Sequence, residues 1–130
     1  MNRASSQRPR VVLVEDDIAL RGALSFALDT EGYEVRGFDT AEAALAANFS
    51  AACLIIDYRL PAATGLTLLE HFRARGGKTP AILITSHPPT FVTHYAELLG
   101  AVVIEKPLLS DDLVEAVRRL APILDNSGQD

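Results

Sequence analysis

Five short apolar runs, each followed by a segment of helical period, constrain this chain more than any other feature. The runs lie at 10–14, 33–38, 52–56, 80–84 and 101–104. Between them, apolar residues recur three and four apart. Leu20, Ala23, Leu24, Ala27 and Leu28 make one face of a helix over 17–30, which Gly32 ends. Ala41 to Ala47 predicts a short Ala-rich helix with Thr40 as its N-cap. Leu66, Leu69 and Phe72 stripe a third helix, closed by Gly76-Gly77. Val92, Tyr95, Ala96 and Leu99 stripe a fourth, closed by Gly100. Leu109, Leu113, Ala116, Val117 and Leu120 stripe a fifth, with Ser110 as its cap. A strand and a helix alternating in this way imply parallel βαβ units.

The composition of the runs orders the strands. The first, third and fourth are almost continuously apolar, as a sheet covered on both faces requires. The second, Tyr33-Glu34-Val35-Arg36-Gly37-Phe38, alternates and carries charge, which marks a sheet edge. The expected class is therefore α/β: a five-stranded parallel doubly wound sheet in the flavodoxin-like order 2-1-3-4-5, with five helices. At 130 residues the chain suits one domain, able to bury about two-thirds of its unfolded surface. The expected division is an N-terminal tail over 1–9, the domain over 10–122 and a polar C-terminal tail over 123–130, with no effector domain attached.

In such a sheet, ligands bind at the carboxyl ends of the strands. Glu15, Asp16 and Asp17 follow the first strand, Asp57 the third, Thr85 the fourth, and Lys106, before Pro107, the fifth. Acids at adjacent strand ends repel one another unless a cation sits among them. Mg²⁺ takes oxygen ligands, commonly one or two carboxylates with water and phosphate. Asp16 and Asp57 are the best direct ligands, with Glu15 acting through water. Asp17 is equally well read as the start of a helix, where the dipole favours an acid. A carboxylate such as Asp57 can attack phosphorus. Lys106 then supplies fixed positive charge, and the Thr85 hydroxyl a hydrogen bond to a phosphoryl oxygen. Alone, the lysine reads as an ion pair and the threonine as a turn residue. Their joint occurrence carries the chemistry.

Charge and hydropathy exclude other classes. With 12 Lys+Arg against 17 Asp+Glu, the net charge of −5 opposes direct nucleic-acid binding. Arg3, Arg8 and Arg10 are too few to reverse that. No apolar run reaches about 18 residues, so no membrane span is expected. The N-terminus lacks the apolar stretch of a secretory signal, and the cytoplasm is the expected location. The single Cys53 excludes an internal disulfide and, inside an apolar run, reads as a buried inert thiol.

The chain resembles the receiver domain of two-component response regulators over about 10–121. The resemblance rests on Val14-Glu15-Asp16-Asp17, on Ile55-Ile56-Asp57-Tyr58-Arg59-Leu60-Pro61 with Gly65, on Leu83-Ile84-Thr85-Ser86 and on Glu105-Lys106-Pro107. It implies that Asp57 accepts a phosphoryl group from a sensor histidine kinase or phosphotransfer protein. Glu15, Asp16, Asp57 and the backbone carbonyl of Arg59 would hold Mg²⁺, and Thr85 and Lys106 would contact the phosphoryl group. The Lys106-Pro107 bond would be cis. The only catalysis would be of the chain's own phosphorylation and dephosphorylation. Output would leave by the face of the fourth helix, fifth strand and fifth helix, toward a downstream protein or a second copy.

Departures from the family pattern carry their own expectations. Val103 occupies the position, three before the lysine, where receivers carry Tyr or Phe, so the usual coupling of threonine to a ring lacks its ring. Pro88-Pro89 disfavour helix and delay the fourth helix. His87 and Arg59, each two residues past a pocket residue, are expected to set the dephosphorylation rate by shaping water access, against the plainer reading that both are solvated loop residues. His71 and His94 read as helix surface. A pseudo-receiver that binds partners without phosphate is the alternative. A phosphohydrolase of the haloacid-dehalogenase type would need an acid where Arg59 stands. A dinucleotide-binding fold would need a Gly-rich turn after the first strand.

Overall fold

The computed structural model describes residues 8–47, 50–108 and 111–124. In chain order the elements are β1 (Arg10–Val14), α1 (Ile18–Thr30), β2 (Glu34–Phe38), α2 (Ala41–Ala47) and β3 (Cys53–Asp57). A two-stranded ribbon follows, β4 (Arg59–Leu60) and β5 (Ala63–Thr64). Then come α3 (Gly65–Ala74), β6 (Ala81–Thr85), α4 (Thr90–Leu98), β7 (Ala101–Glu105) and α5 (Asp112–Leu120). The main sheet is five-stranded and parallel, in the order β2-β1-β3-β6-β7. Counted along the chain, that is the expected 2-1-3-4-5.

Strand alternation sorts the core into two layers. Val12, Val14, Leu54, Ile56 and Leu83 face α2, α3 and α4 and pack with Ala44, Leu68, Leu69, Val92 and Ala96. Val11, Leu13, Cys53, Ile55, Ile82 and Ile84 face the other way and pack with Leu28, Leu113 and Val117 of α1 and α5. A one-residue slip in any strand would exchange the two layers, so the apolar pattern fixes the register. Each fully buried Leu, Ile or Val contributes about 1.5–3 kcal/mol. Cys53 is free and buried, and loss of solvent pushes its thiol up to about 12, which leaves it inert.

The helix ends follow local chemistry. Asp17 caps α1: its side chain accepts from the Leu20 amide at 3.0 Å, which decides between its two readings in favour of the helix start. Gly32 closes α1 with φ +104°, a conformation that favours glycine. The Thr40 hydroxyl accepts from the Ala43 amide at the start of α2. α4 begins only at Thr90, after Pro88-Pro89, as the prolines predict. Leu109 and the expected cap Ser110 lie outside the described residues, and α5 follows Asp111.

Other expectations shift. Tyr33 precedes β2 instead of opening it, and is wholly buried with its hydroxyl donating to the Ala121 carbonyl at 2.8 Å. Ala23 is exposed, so the packed face of α1 is narrower than its apolar stripe. Tyr95 is also exposed, its hydroxyl donating to the Glu70 carboxylate of α3. Leu99 is the C-cap of α4 and not part of its helical stripe. His71 and His94 are exposed. No helix among the described residues is long and apolar enough to cross a membrane.

Candidate functional site

The carboxyl ends of β1 and β3 are neighbours, so the acids after them converge. Glu15, Asp16 and Asp57 each offer an oxygen, and these atoms lie within 4.8 Å of one another. Glu15 and Asp57 are buried, whereas Asp16 is exposed. Three backbone contacts hold this corner. The Glu15 amide donates to the Phe38 carbonyl at 2.9 Å, the Tyr58 amide to Ile84 at 2.8 Å and the Gly65 amide to Tyr58 at 2.7 Å. Gly65 is required: a Cβ there would stand 2.5 Å from the Asp57 carbonyl oxygen and 2.9 Å from the Ile56 and Leu83 side chains.

Lys106 enters from the far side. Its amide donates to the Thr85 carbonyl at 2.7 Å, and its bond to Pro107 is cis. Its ammonium lies 3.3 Å from Asp57 Oδ2 and 3.9 Å from Glu15 Oε1. Thr85 is buried at the end of β6, in register with Glu105. The Arg59 amide points at Asp57 Oδ1 over a long 3.4 Å.

The charge balance of the pocket favours a cation. Glu15 Oε1 is buried and accepts no hydrogen bond, while Oε2 accepts from the Asp17 amide at 3.1 Å. Burial pushes the Glu15 carboxyl up from 4.5 to about 7; the Asp17 amide opposes this, Asp57 adds to it and Lys106 moderates it. A divalent ion supplies what one lysine does not: positive charge beside an orphaned buried oxygen, among hard oxygen donors of the kind Mg²⁺ takes. The residues present therefore fit Mg²⁺.

The remaining residues stand at the margin. His87 adopts φ +45°, its side chain is 93% exposed, and Nδ1 is 3.6 Å from Glu105 Oε2. Arg59 is exposed, so its main chain is what meets Asp57. Val103 is half-buried opposite Leu83 and packs against the core. Arg21 is a positioning residue that motif spacing does not reveal. Its Nη1 donates to the Glu15 carbonyl at 2.7 Å, and its stem crosses Gly37, where a Cβ would come within 3.2 Å of Arg21 Cδ. The one sequence signal is Gly37 itself, since glycine inside a strand often marks close approach of another group.

Comparison with known proteins agrees with this geometry. The family described as the response regulator receiver domain matches residues 11–118. The chain is 34% identical over 119 residues to the transcriptional regulatory protein FixJ of Bradyrhizobium diazoefficiens, covering 86% of this chain and 58% of FixJ. It is 37% identical over 118 residues to the C4-dicarboxylate transport transcriptional regulatory protein DctD of Rhizobium meliloti, covering 88% of this chain and 25% of DctD. The chain thus spans a quarter to somewhat over half of these relatives. Among solved structures, the non-phosphorylated HemR receiver domain of Leptospira biflexa superposes with a TM-score of 0.84 at 25% identity, covering 91% of this chain and 98% of that one. A CheY-like receiver domain from Methanospirillum hungatei gives 0.80 at 30% identity, covering 86% and 92%.

Proposed function

The chain belongs to the response regulator receiver family, and from that premise we propose that Asp57 is its phosphoacceptor, loaded in a Mg²⁺-dependent manner by a sensor histidine kinase or phosphotransfer protein. The observation that carries this reading is the buried Asp57 carboxylate 3.3 Å from the Lys106 ammonium and beside the orphaned Glu15 Oε1. An Asp57 oxygen forms the new bond to phosphorus, and the bond from phosphorus to the donor nitrogen breaks. Lys106 offsets charge on the phosphoryl oxygens, and the Thr85 hydroxyl donates to one of them. Glu15, Asp16, Asp57 and the Arg59 carbonyl would hold Mg²⁺, which when bound neutralises charge on the transferring group. The chain acts on no other substrate in this reading: it catalyses only its own phosphorylation and dephosphorylation. His87 and Arg59 set the lifetime of the phosphoryl group by limiting water at the rim.

Phosphorylation adds roughly −1.5 to −2 charge and strong acceptors. Those oxygens draw Thr85 and the loop after β6 inward, and α4 moves with that loop. The output leaves by the face of α4, β7 and α5, where Phe91, Leu98 and Val102 are exposed, toward a downstream protein or a second copy of the chain. With a net charge of −5, the chain would act through protein contact, not by touching nucleic acid itself. The reading extends to a receiver that acts in the cytoplasm.

Val103 favours a second reading, a pseudo-receiver that holds partners without phosphate, because no ring stands there to follow Thr85. Intact mass after incubation with acetyl phosphate and Mg²⁺ separates the two. A gain of about 80 Da in the wild type but not in Asp57→Asn supports the phosphoacceptor. No gain in either, with kinases as well as acetyl phosphate, supports the pseudo-receiver.

A further inference from the structure

Glu15 and Asp16, two of the three acids of the pocket, share one peptide bond. The Glu15 carbonyl and the Asp16 amide therefore lie in one rigid plane. That plane is held from outside the pocket. Arg21 Nη1 donates to the Glu15 carbonyl at 2.7 Å, while the Glu15 amide donates to the Phe38 carbonyl of β2 at 2.9 Å. The Arg21 amide also donates to the Asp17 carbonyl at 2.8 Å. One residue of α1 thus holds the carbonyls on both sides of Asp16. Among the described residues, the Arg21 guanidinium makes no other hydrogen bond and no ion pair.

The reach of Arg21 depends on the edge strand. Its stem crosses β2 at Gly37, where an added Cβ would stand 3.2 Å from Cδ, 3.4 Å from Cγ and 3.8 Å from Nε. Gly37 does not adopt a positive φ, so its backbone does not call for glycine. Glycine inside a strand also weakens the strand. The bare position serves the crossing. In register, Gly37 pairs with Leu13 and Phe38 with Val14, so the crossing lies next to the carbonyl that takes the Glu15 amide.

We propose that Gly37, acting through Arg21, sets the affinity of the acidic pocket for Mg²⁺. The bare edge lets the guanidinium reach the Glu15 carbonyl, and that bond orients the Glu15–Asp16 peptide so that both carboxylates face one cation. Arg21 is a positioning residue, since it meets the ligands only through their backbone. The inference rests on the reading of the pocket as a Mg²⁺ site. Loss of an outer partner of a metal ligand typically weakens the metal about 10–100-fold. Charge acts in the other direction. A guanidinium near the pocket repels a cation, so by charge alone its removal should tighten Mg²⁺. Positioning and charge therefore predict opposite signs.

Mg²⁺ titration calorimetry on the full chain at pH 8 reads the affinity, and the ¹⁵N shift of the Asp16 amide in the metal-free chain reads the bond. Arg21→Met keeps an apolar stem over Gly37 and removes the donor. It should weaken Mg²⁺ about tenfold and move the Asp16 shift. Arg21→Lys, which keeps a donor, should fall between Arg21→Met and wild type in both. Gly37→Val suits a strand and covers the crossing, and should weaken Mg²⁺ although Arg21 and its charge are kept. Combined with Arg21→Met, Gly37→Val should add nothing. Unchanged or tighter binding in Arg21→Met overturns the proposal, as does an unmoved Asp16 shift or losses that multiply in the double variant. A wild type that takes up no Mg²⁺ overturns the metal reading and this proposal with it.

Discussion

Lys106 reaches Asp57 across an intervening strand: β6 lies between their strands, yet Nζ stands 3.3 Å from Oδ2. The Lys106 amide, bonded to the Thr85 carbonyl, sets the origin of that reach. In the proposed transfer the ammonium stabilises charge that grows on the phosphoryl oxygens. Lys106→Met should therefore slow phosphorylation by acetyl phosphate about 100-fold. A time course of intact mass at saturating Mg²⁺ reads this directly. An unchanged rate would remove the lysine from the chemistry.

Glu15 makes the metal-free pocket sensitive to pH. Its carboxyl titrates near 7 in the folded chain, against 4.5 without the fold. A raised carboxyl means that the folded state holds its proton more tightly. The associated stability is complete below 4.5 and is lost as pH rises through 7. Glu15→Gln removes the titration. With chelator present, wild type should lose about 2–3 kcal/mol relative to Glu15→Gln between pH 5 and pH 8. Urea unfolding of both proteins at the two pH values tests it, and parallel curves would contradict it.

The same proton competes with the metal. Below pH 7, Mg²⁺ must displace it from Glu15, so affinity should fall up to about tenfold per pH unit. Above pH 7 the dependence should flatten. Asp16→Asn, which removes the exposed ligand, should weaken binding at every pH without changing that profile. Titration calorimetry at pH 6, 7 and 8 would show it, and a flat profile in the wild type would place the proton elsewhere.

Two glycines in equivalent-looking helical settings should respond in opposite directions. Gly65→Ala drives a methyl group into the Asp57 backbone at 2.5 Å, and should cost about 1–3 kcal/mol while displacing the Asp57 carboxylate. Gly22→Ala, inside α1 with nothing within 4 Å of the new Cβ, should stabilise by about 0.5–1 kcal/mol. Thermal melts of the pair decide it.

His87 projects into solvent at the pocket rim beside Glu105. If the rim limits water, His87→Ala should shorten the half-life of the phosphorylated chain without slowing its formation. An unchanged half-life would make His87 a solvated loop residue only.

The sheet order was legible because Tyr33 to Phe38 alternates where the other runs do not. The pocket was legible because each acid follows an apolar strand directly. β7 was harder: Ala101-Val102-Val103-Ile104 is as apolar as a central strand, yet it forms an edge with Val102 exposed. Strand composition reports coverage of the faces, not pairing of the edges. The β4–β5 ribbon has two residues per strand, too few for any period, and turns at Ala62 with φ +64°. Tyr95 satisfied an apolar spacing with a side chain whose polar tip finds Glu70 at the surface. A contact between distant positions such as Tyr33 to Ala121 leaves no mark in local pattern because it depends on the assembled fold, and Arg21 over Gly37 is marked only by the glycine.

Asp17 carries a consequence for observation. Its amide donates to Glu15 Oε2, while its own carboxylate caps α1 through the Leu20 amide. The pocket and the first turn of α1 therefore share a single residue. Any change in the charge of Glu15 alters the bond that positions the cap. Hydrogen–deuterium exchange at the Leu20 amide would then serve as a gauge of pocket occupancy, readable without labelling Asp57 and on a helix that packs on the opposite face of the sheet from α4.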